Sequence, residues 1–291
     1  KPSSAASDVY KRQSDMKRIN IHGWILTVIY SVFFSAVSVA QDSAVEFVYP
    51  VAISSSETTV YIADRRLPGV LAITDGEISA LYRGSKKVGT PLNAVRCIAA
   101  TEDGTLLVGD SATRAVYRLD DQGTLSVLTK GMIGIPSGIA VLEDGTTIVT
   151  DLESGGVWKI TGDGAADRLA DVPGATGVTV QAGNIMVLSR GTNPVVKVSL
   201  DGKVSPVVTG RPFGLPLGIA TLDNQTLLVA DGFKKTIWSV KPDGTFEKLA
   251  SGEPFVHPVG ITTTGGKTLV VDSRAKSVFE IQTDGTVIPF K

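Results

Sequence analysis

The sequence predicts an all-β chain, a six-bladed β-propeller with four antiparallel strands in every blade. Three observations lead there. A unit of 39 to 45 residues occurs six times. Each copy holds short apolar, β-branched runs separated by turn residues, and no stretch of the main body keeps a helical period. Radial packing of such units leaves only short, protected strand edges, whereas a solenoid needs distinct capping repeats at its two ends, and none is visible in this sequence.

Ahead of the repeats, residues 21–40 form the one long apolar stretch, with Lys17 and Arg18 following Met16 and Ser38-Val39-Ala40 closing it. A basic start, an apolar middle and a small-x-small end describe a secretory signal peptide over 16–40, with cleavage expected after Ala40. The competing reading is an uncleaved anchor, since about 20 apolar residues span a bilayer. Residues 1–15 read as an upstream extension foreign to the protein. Residues 41–291 read as one propeller domain, placed in the periplasm or outside the cell. It is expected to be a monomer and, once the signal is removed, to have no membrane partner.

That domain carries 23 Lys and Arg against 27 Asp and Glu, a net charge of −4, so no basic excess points to nucleic acid. His257 is its one histidine and Cys97 the chain's one cysteine. A histidine cluster, a cysteine-based zinc site and a disulfide framework are all excluded. No phosphate-binding P-loop and no strand-linked GxGxxG occurs, and no cofactor is expected.

The six copies open with PVAI (50–53), VRCI (95–98), PSGI (136–139), ATGV (175–178), PLGI (216–219) and PVGI (258–261). Eleven or twelve residues after each closing Ile or Val stands Asp64, Asp110, Asp151, Ser189, Asp231 or Asp272, and nine further on Ile73, Leu119, Ile160, Val198, Val240 or Ile281. Asp-Gly pairs at 103–104, 144–145, 163–164, 201–202, 243–244 and 284–285 mark hairpin turns. The opening run is the inner strand, where six chains crowd one axis and Gly, Ala or Cys leaves room. Cys97 is therefore expected to be a buried, inert thiol. Leu71, Tyr117, Trp158, Val196, Trp238 and Phe279, seven residues after the acidic mark, are expected to fill the gaps between blades. Residues 44–49 could add an edge strand beside 286–290.

The units PSGIAVLEDGTTIVTD and PLGIATLDNQTLLVAD resemble the NHL repeat and the related senescence-marker, gluconolactonase and regucalcin-like propellers, over about residues 44–291. The resemblance implies the fold; the activities of that group differ. In its lactonase branch the resemblance implies a calcium ion on the axis, held partly by Asn, Asp or Glu just before the inner-strand glycine. Here those positions are Val51, Arg96, Ser137, Thr176, Leu217 and Val259. Calcium wants six to eight oxygens with carboxylates among them, so a calcium-dependent lactonase is not expected.

The repeated Asp residues ring one mouth of the channel, and the simplest reading is that each binds backbone N–H groups of its own loop. Basic residues are plentiful on the same face, where they are either merely solvated or part of a site. The site reading makes the mouth a receptor for an anionic or sugar-like ligand, or for a protein partner. Arg96 and Arg190 would be bidentate donors, Ser137 and Thr176 hydroxyl donors, and Tyr49 or Phe255 a stacking surface, with His257 among the ligand-binding residues. The alternative is a hydrolase or lyase, gluconolactonase-like or strictosidine-synthase-like, working through His257 with Asp231 or Asp272.

Overall fold

Short strands end here because turns force them to. In the Asp-Gly hairpins the glycine takes a positive φ, 83° at Gly104 and 81° at Gly145, which other residues rarely adopt. The preceding Asp accepts the amide two residues on, as in Asp144 Oδ1 with Thr146 N at 2.9 Å. The structure, a computed structural model, describes residues 45–290. The expectations about a foreign extension and a signal peptide concern residues 1–40 and lie outside the described residues.

Six four-stranded antiparallel sheets form, each following chain order from an inner to an outer strand. Blade 1 comprises Pro50–Ser55, Thr59–Asp64, Gly69–Thr74 and Glu77–Arg83. The inner strands of blades 2 to 6 are Val95–Ala100, Pro136–Val141, Ala175–Gln181, Pro216–Asp223 and Pro258–Thr264. Each inner strand touches the next, and that of blade 6 touches that of blade 1, so the sheets close a ring around a channel. The architecture is the six-bladed β-propeller predicted from the repeats.

Crowding at the axis is visible at the small residues. A Cβ on Gly138 would lie 2.7 Å from the Thr176 carbonyl oxygen, and one on Gly177 2.7 Å from that of Leu217. Cys97 fills the same position in blade 2 and is buried, and burial pushes its thiol pKa up to about 12, so it stays protonated and unreactive.

The core is six apolar clusters, each between two neighbouring blades. The residues at the fixed nine-residue interval, Ile73, Leu119, Ile160, Val198, Val240 and Ile281, are all buried there. Burial of this apolar surface is the main stabilising term. Among the described residues no strand is exchanged to lock the ring: the last blade builds all four strands from Pro258 onward. Closure between blades 6 and 1 relies on Leu269, Val271 and Val278 packed against Ile53, Ile62 and Leu71. Two further links are Thr264 Oγ1 donating to the Ser56 carbonyl at 3.0 Å and the Ser55 and Thr262 hydroxyls at 3.3 Å.

The edge strand expected over 44–49 does not form. Residues 45–49 have no partner strand, and Val45 and Phe47 pack instead on the closing cluster beside Phe290. The Val48 and Tyr49 amides, which a strand would have paired, go to the Asp64 carboxylate at 2.7 and 3.0 Å.

Candidate functional site at the channel mouth

One local irregularity builds the site six times. At the start of every inner strand the pairing with the second strand skips a register, leaving Val51, Arg96, Ser137, Leu217 and Val259 unpaired, together with Thr176 and Gly177 in blade 4. A β-bulge frees a residue from the ladder and re-aims its side chain. These residues line a cavity of about 620 Å³ that runs along the axis. That volume suits a small molecule.

The bulges and adjoining loops do not carry equivalent side chains, so the mouth mixes cationic and apolar groups around the ring. Arg65, Arg96 and Arg190, from blades 1, 2 and 4, line it together with Tyr49 and His257, while Leu152, Leu215, Leu217 and Val259 complete the rim with apolar groups. Among the described residues the ion pairs are Arg114–Glu153, Arg168–Asp171 and Lys267–Glu280, and none involves the three mouth arginines. Arg96 is half-buried and donates from Nε to Ser111 Oγ at 3.1 Å, and that hydroxyl donates on to the Ala94 carbonyl. Burial, followed by the charges of Arg65 and Arg190, lowers the Arg96 pKa from its ordinary value. Three like charges held together without a carboxylate are relieved by a bound anion.

His257 is fixed by the Gly232 loop of blade 5. Its Nδ1 lies 3.0 Å from the Gly232 carbonyl oxygen, so in the neutral ring Nδ1 carries the proton and Nε2 keeps a lone pair. A Cβ at Gly232 would stand 2.7 Å from the ring, which explains why that loop carries glycine there.

Of the predicted site residues, Tyr49, Arg96, Ser137, Thr176, Arg190 and His257 line the cavity. Phe255 does not. It is 1% exposed and packs edge-on to Phe279 at 5.7 Å in the core between blades 5 and 6, so it offers no stacking surface to a ligand. Arg66 already lies 5.0 Å from the Tyr49 ring centroid and occupies one face of it. The two hydroxyls are not the free donors expected. Ser137 Oγ sits within 3.1 to 3.2 Å of the Thr150, Ala175 and Thr176 carbonyls, and Thr176 Oγ1 donates to the Pro216 carbonyl at 3.3 Å. Their protons tie blades together.

The histidine–aspartate pair is not made. Asp272 touches His257 only through the His257 amide, at 2.7 Å, and its oxygens also accept the Val256, Arg274 and Ala275 amides. Asp231 is similarly committed to Gly214, Leu215 and Lys234. All five repeated Asp side chains accept loop amides in this way, and Ser189 in blade 4 accepts one, from Gly191, while donating to the Pro173 carbonyl. Nor do the residues fit a divalent cation on the axis: the bulge positions supply no carboxylate, and no group of three His, Cys, Asp or Glu is placed to hold a metal among the described residues.

Ser273 was not legible as a site residue. It lines the cavity, is 1% exposed, and its hydroxyl has no hydrogen-bond partner, unlike that of Ser111 at the matching position of blade 2. A buried hydroxyl without a partner is costly, and a ligand oxygen would supply one.

No family model matches the sequence, and no curated protein matches it either. Solved structures do resemble it. A streptogramin B lyase shares 18% identity over 86% of this chain and 85% of its own, with a TM-score of 0.67. A gluconolactonase from Xanthomonas campestris shares 16% over 78% and 84%, with a TM-score of 0.66. An auxiliary nutrient binding protein from Bacteroides thetaiotaomicron shares 14% over 80% and 68%, with a TM-score of 0.67. Likeness at such identities shows the six-bladed propeller fold alone.

Proposed function

We propose that the chain is an exported binding module that holds an anionic or sugar-like ligand at the channel mouth, without a metal or other cofactor. The observation that carries this reading is the convergence of Arg65, Arg96 and Arg190 on one cavity whose lining holds no carboxylate, with none of the three in an ion pair among the described residues. Guanidinium groups take carboxylate, sulfate or phosphate oxygens in pairs. Ser273 adds a neutral donor, Tyr49 a ring face, and the apolar rim a dry wall. Calorimetry with carboxylated and sulfated glycans tests it. Arg96→Ala is expected to weaken binding about ten- to hundredfold, as for loss of a charge-assisted hydrogen bond. Equal binding by wild type and variant would remove Arg96 from the site.

The orientation of His257 favours a second reading, a hydrolase or lyase in which Nε2 takes a proton and the arginines stabilise the developing oxyanion. The likeness to a streptogramin B lyase and a gluconolactonase makes lactones the first substrates to try. On this reading wild type opens the lactone and His257→Asn does not, while anion binding survives in both. Binding without turnover in wild type leaves the receptor reading alone.

A further inference from the structure

The charges of this protein are sorted by face, which its small net charge conceals. The mouth-side loops join second to third strands and each outer strand to the next blade; they hold eleven Lys or Arg and two Asp or Glu. The loops on the opposite face hold two and twelve. The five buried Asp side chains below the mouth offset part of this charge, but they face amide donors rather than solvent. The two most exposed large apolar side chains of the described residues also belong to the mouth face: Val88, 86% exposed, and Phe233, 78% exposed. Each sits beside a lysine pair, in Lys86-Lys87-Val88 and in Phe233-Lys234-Lys235. Met132 and Val256, in two other mouth-side loops, are exposed as well.

We propose that the mouth face docks on the surface of an anionic lipid bilayer, with Val88 and Phe233 entering the headgroup boundary and the flanking lysines meeting lipid phosphates. Apolar tips held out to water among cationic loops cost free energy that a purely ionic ligand would not recover, whereas the bilayer boundary takes both groups together. A second copy stacked head to tail would also match the charges, and the opposite face carries exposed Leu200 and a hollow lined in part by Val60, Ile73 and Phe290, but one such hollow seats one tip, whereas a bilayer takes Val88 and Phe233 together. Docking of this kind departs from the expectation of a domain without a membrane partner. It needs no membrane span and stands apart from the ligand reading, since none of the four lysines lines the cavity.

Sedimentation of the full chain with vesicles tests it, comparing equal parts phosphatidylglycerol and phosphatidylcholine with phosphatidylcholine alone. Because residues 21–40 are common to every variant, ratios between variants report on this face. Wild type is expected to prefer the anionic vesicles at least tenfold, with the preference shrinking as salt rises. Lys86→Gln with Lys87→Gln should lower binding about tenfold or more, and Val88→Ser with Phe233→Ser should do the same. All four side chains are exposed, so melting points should be unchanged. Equal binding to both vesicles, or wild-type binding by both double variants, would overturn the proposal. Concentration-dependent self-association, abolished by the same substitutions in chains that bind no vesicle, would assign the face to a second copy and overturn it too.

Discussion

Asp231→Ala is expected to lower the unfolding free energy by about 4 kcal/mol and the melting midpoint by roughly 8 to 16 °C. The carboxylate is fully buried and accepts the Gly214, Leu215 and Lys234 amides at 2.7, 2.8 and 3.1 Å, with the Trp238 indole N–H at 3.4 Å. Gly214 and Leu215 lie in the loop arriving from blade 4, while Lys234 lies in the hairpin of blade 5 itself. One side chain therefore ties two loops, and alanine would strand several donors away from water. Ser189→Ala is the internal control. Ser189 donates to the Pro173 carbonyl at 2.7 Å and accepts the Gly191 amide at 2.9 Å, so its loss should cost about 1 kcal/mol. Thermal unfolding of both variants decides: a loss at Asp231 no larger than at Ser189 would refute the tie.

The same chemistry sets an acid limit. Asp151 is pushed upward by burial, but the Ser154 hydroxyl and the Ile135, Gly134 and Glu153 amides outweigh this and hold its pKa below the ordinary 3.8. The turn residues Asp144 and Asp284 are held low chiefly by the Thr146 and Thr286 amides. A carboxylate depressed in the folded state contributes stability above its unfolded pKa and loses it as the pH falls through the folded one. Stability should therefore drop below about pH 4, and less steeply in Asp151→Ala.

The repeat made the architecture readable because the invariant nine-residue interval from Asp110 to Leu119, and its five copies, reads as one sheet repeated. Even the crowded glycines followed from sequence. What one-dimensional spacing could not separate were residues with the same address and different neighbours. Phe255 sits in a mouth-side loop like Tyr49, yet turns inward against Phe279, because a bare phenyl ring gains more from the core than from water. Ser273 and Ser111 follow their Asp residues identically, and only the surrounding carbonyls decide which hydroxyl is satisfied. The register skip that presents Arg96 is a property of two strands at once and has no signature in either alone. The sorting of charge was present all along, in Asp-Gly turns on one face and lysine pairs on the other, but a sum over the domain averages it away.

Trp158 and Trp238 occupy the same place in the repeat and are expected to respond differently to truncation. Trp238 is 7% exposed, lies 5.5 Å from the Phe213 ring and 5.7 Å from that of Phe246, and reaches the Asp231 carboxylate with its indole N–H. Removing it empties the centre of an aromatic cluster, at a cost of about 3 to 5 kcal/mol. Trp158 is only partly buried, covered by the Arg168 guanidinium at 5.8 Å, and its N–H is buried with no partner. Truncation to Ala there should cost about 1 to 2 kcal/mol, since less surface is lost and an unsatisfied donor goes with it. Trp158→Phe isolates the second effect: it keeps most of the ring and deletes the orphan N–H, so it should be neutral or slightly stabilising. Trp238→Phe, which deletes an N–H that Asp231 uses, should be destabilising. Chemical denaturation of the four variants tests the ranking, and equal losses for the two Phe substitutions would show that the indole nitrogens, one bonded and one not, play no part in the difference.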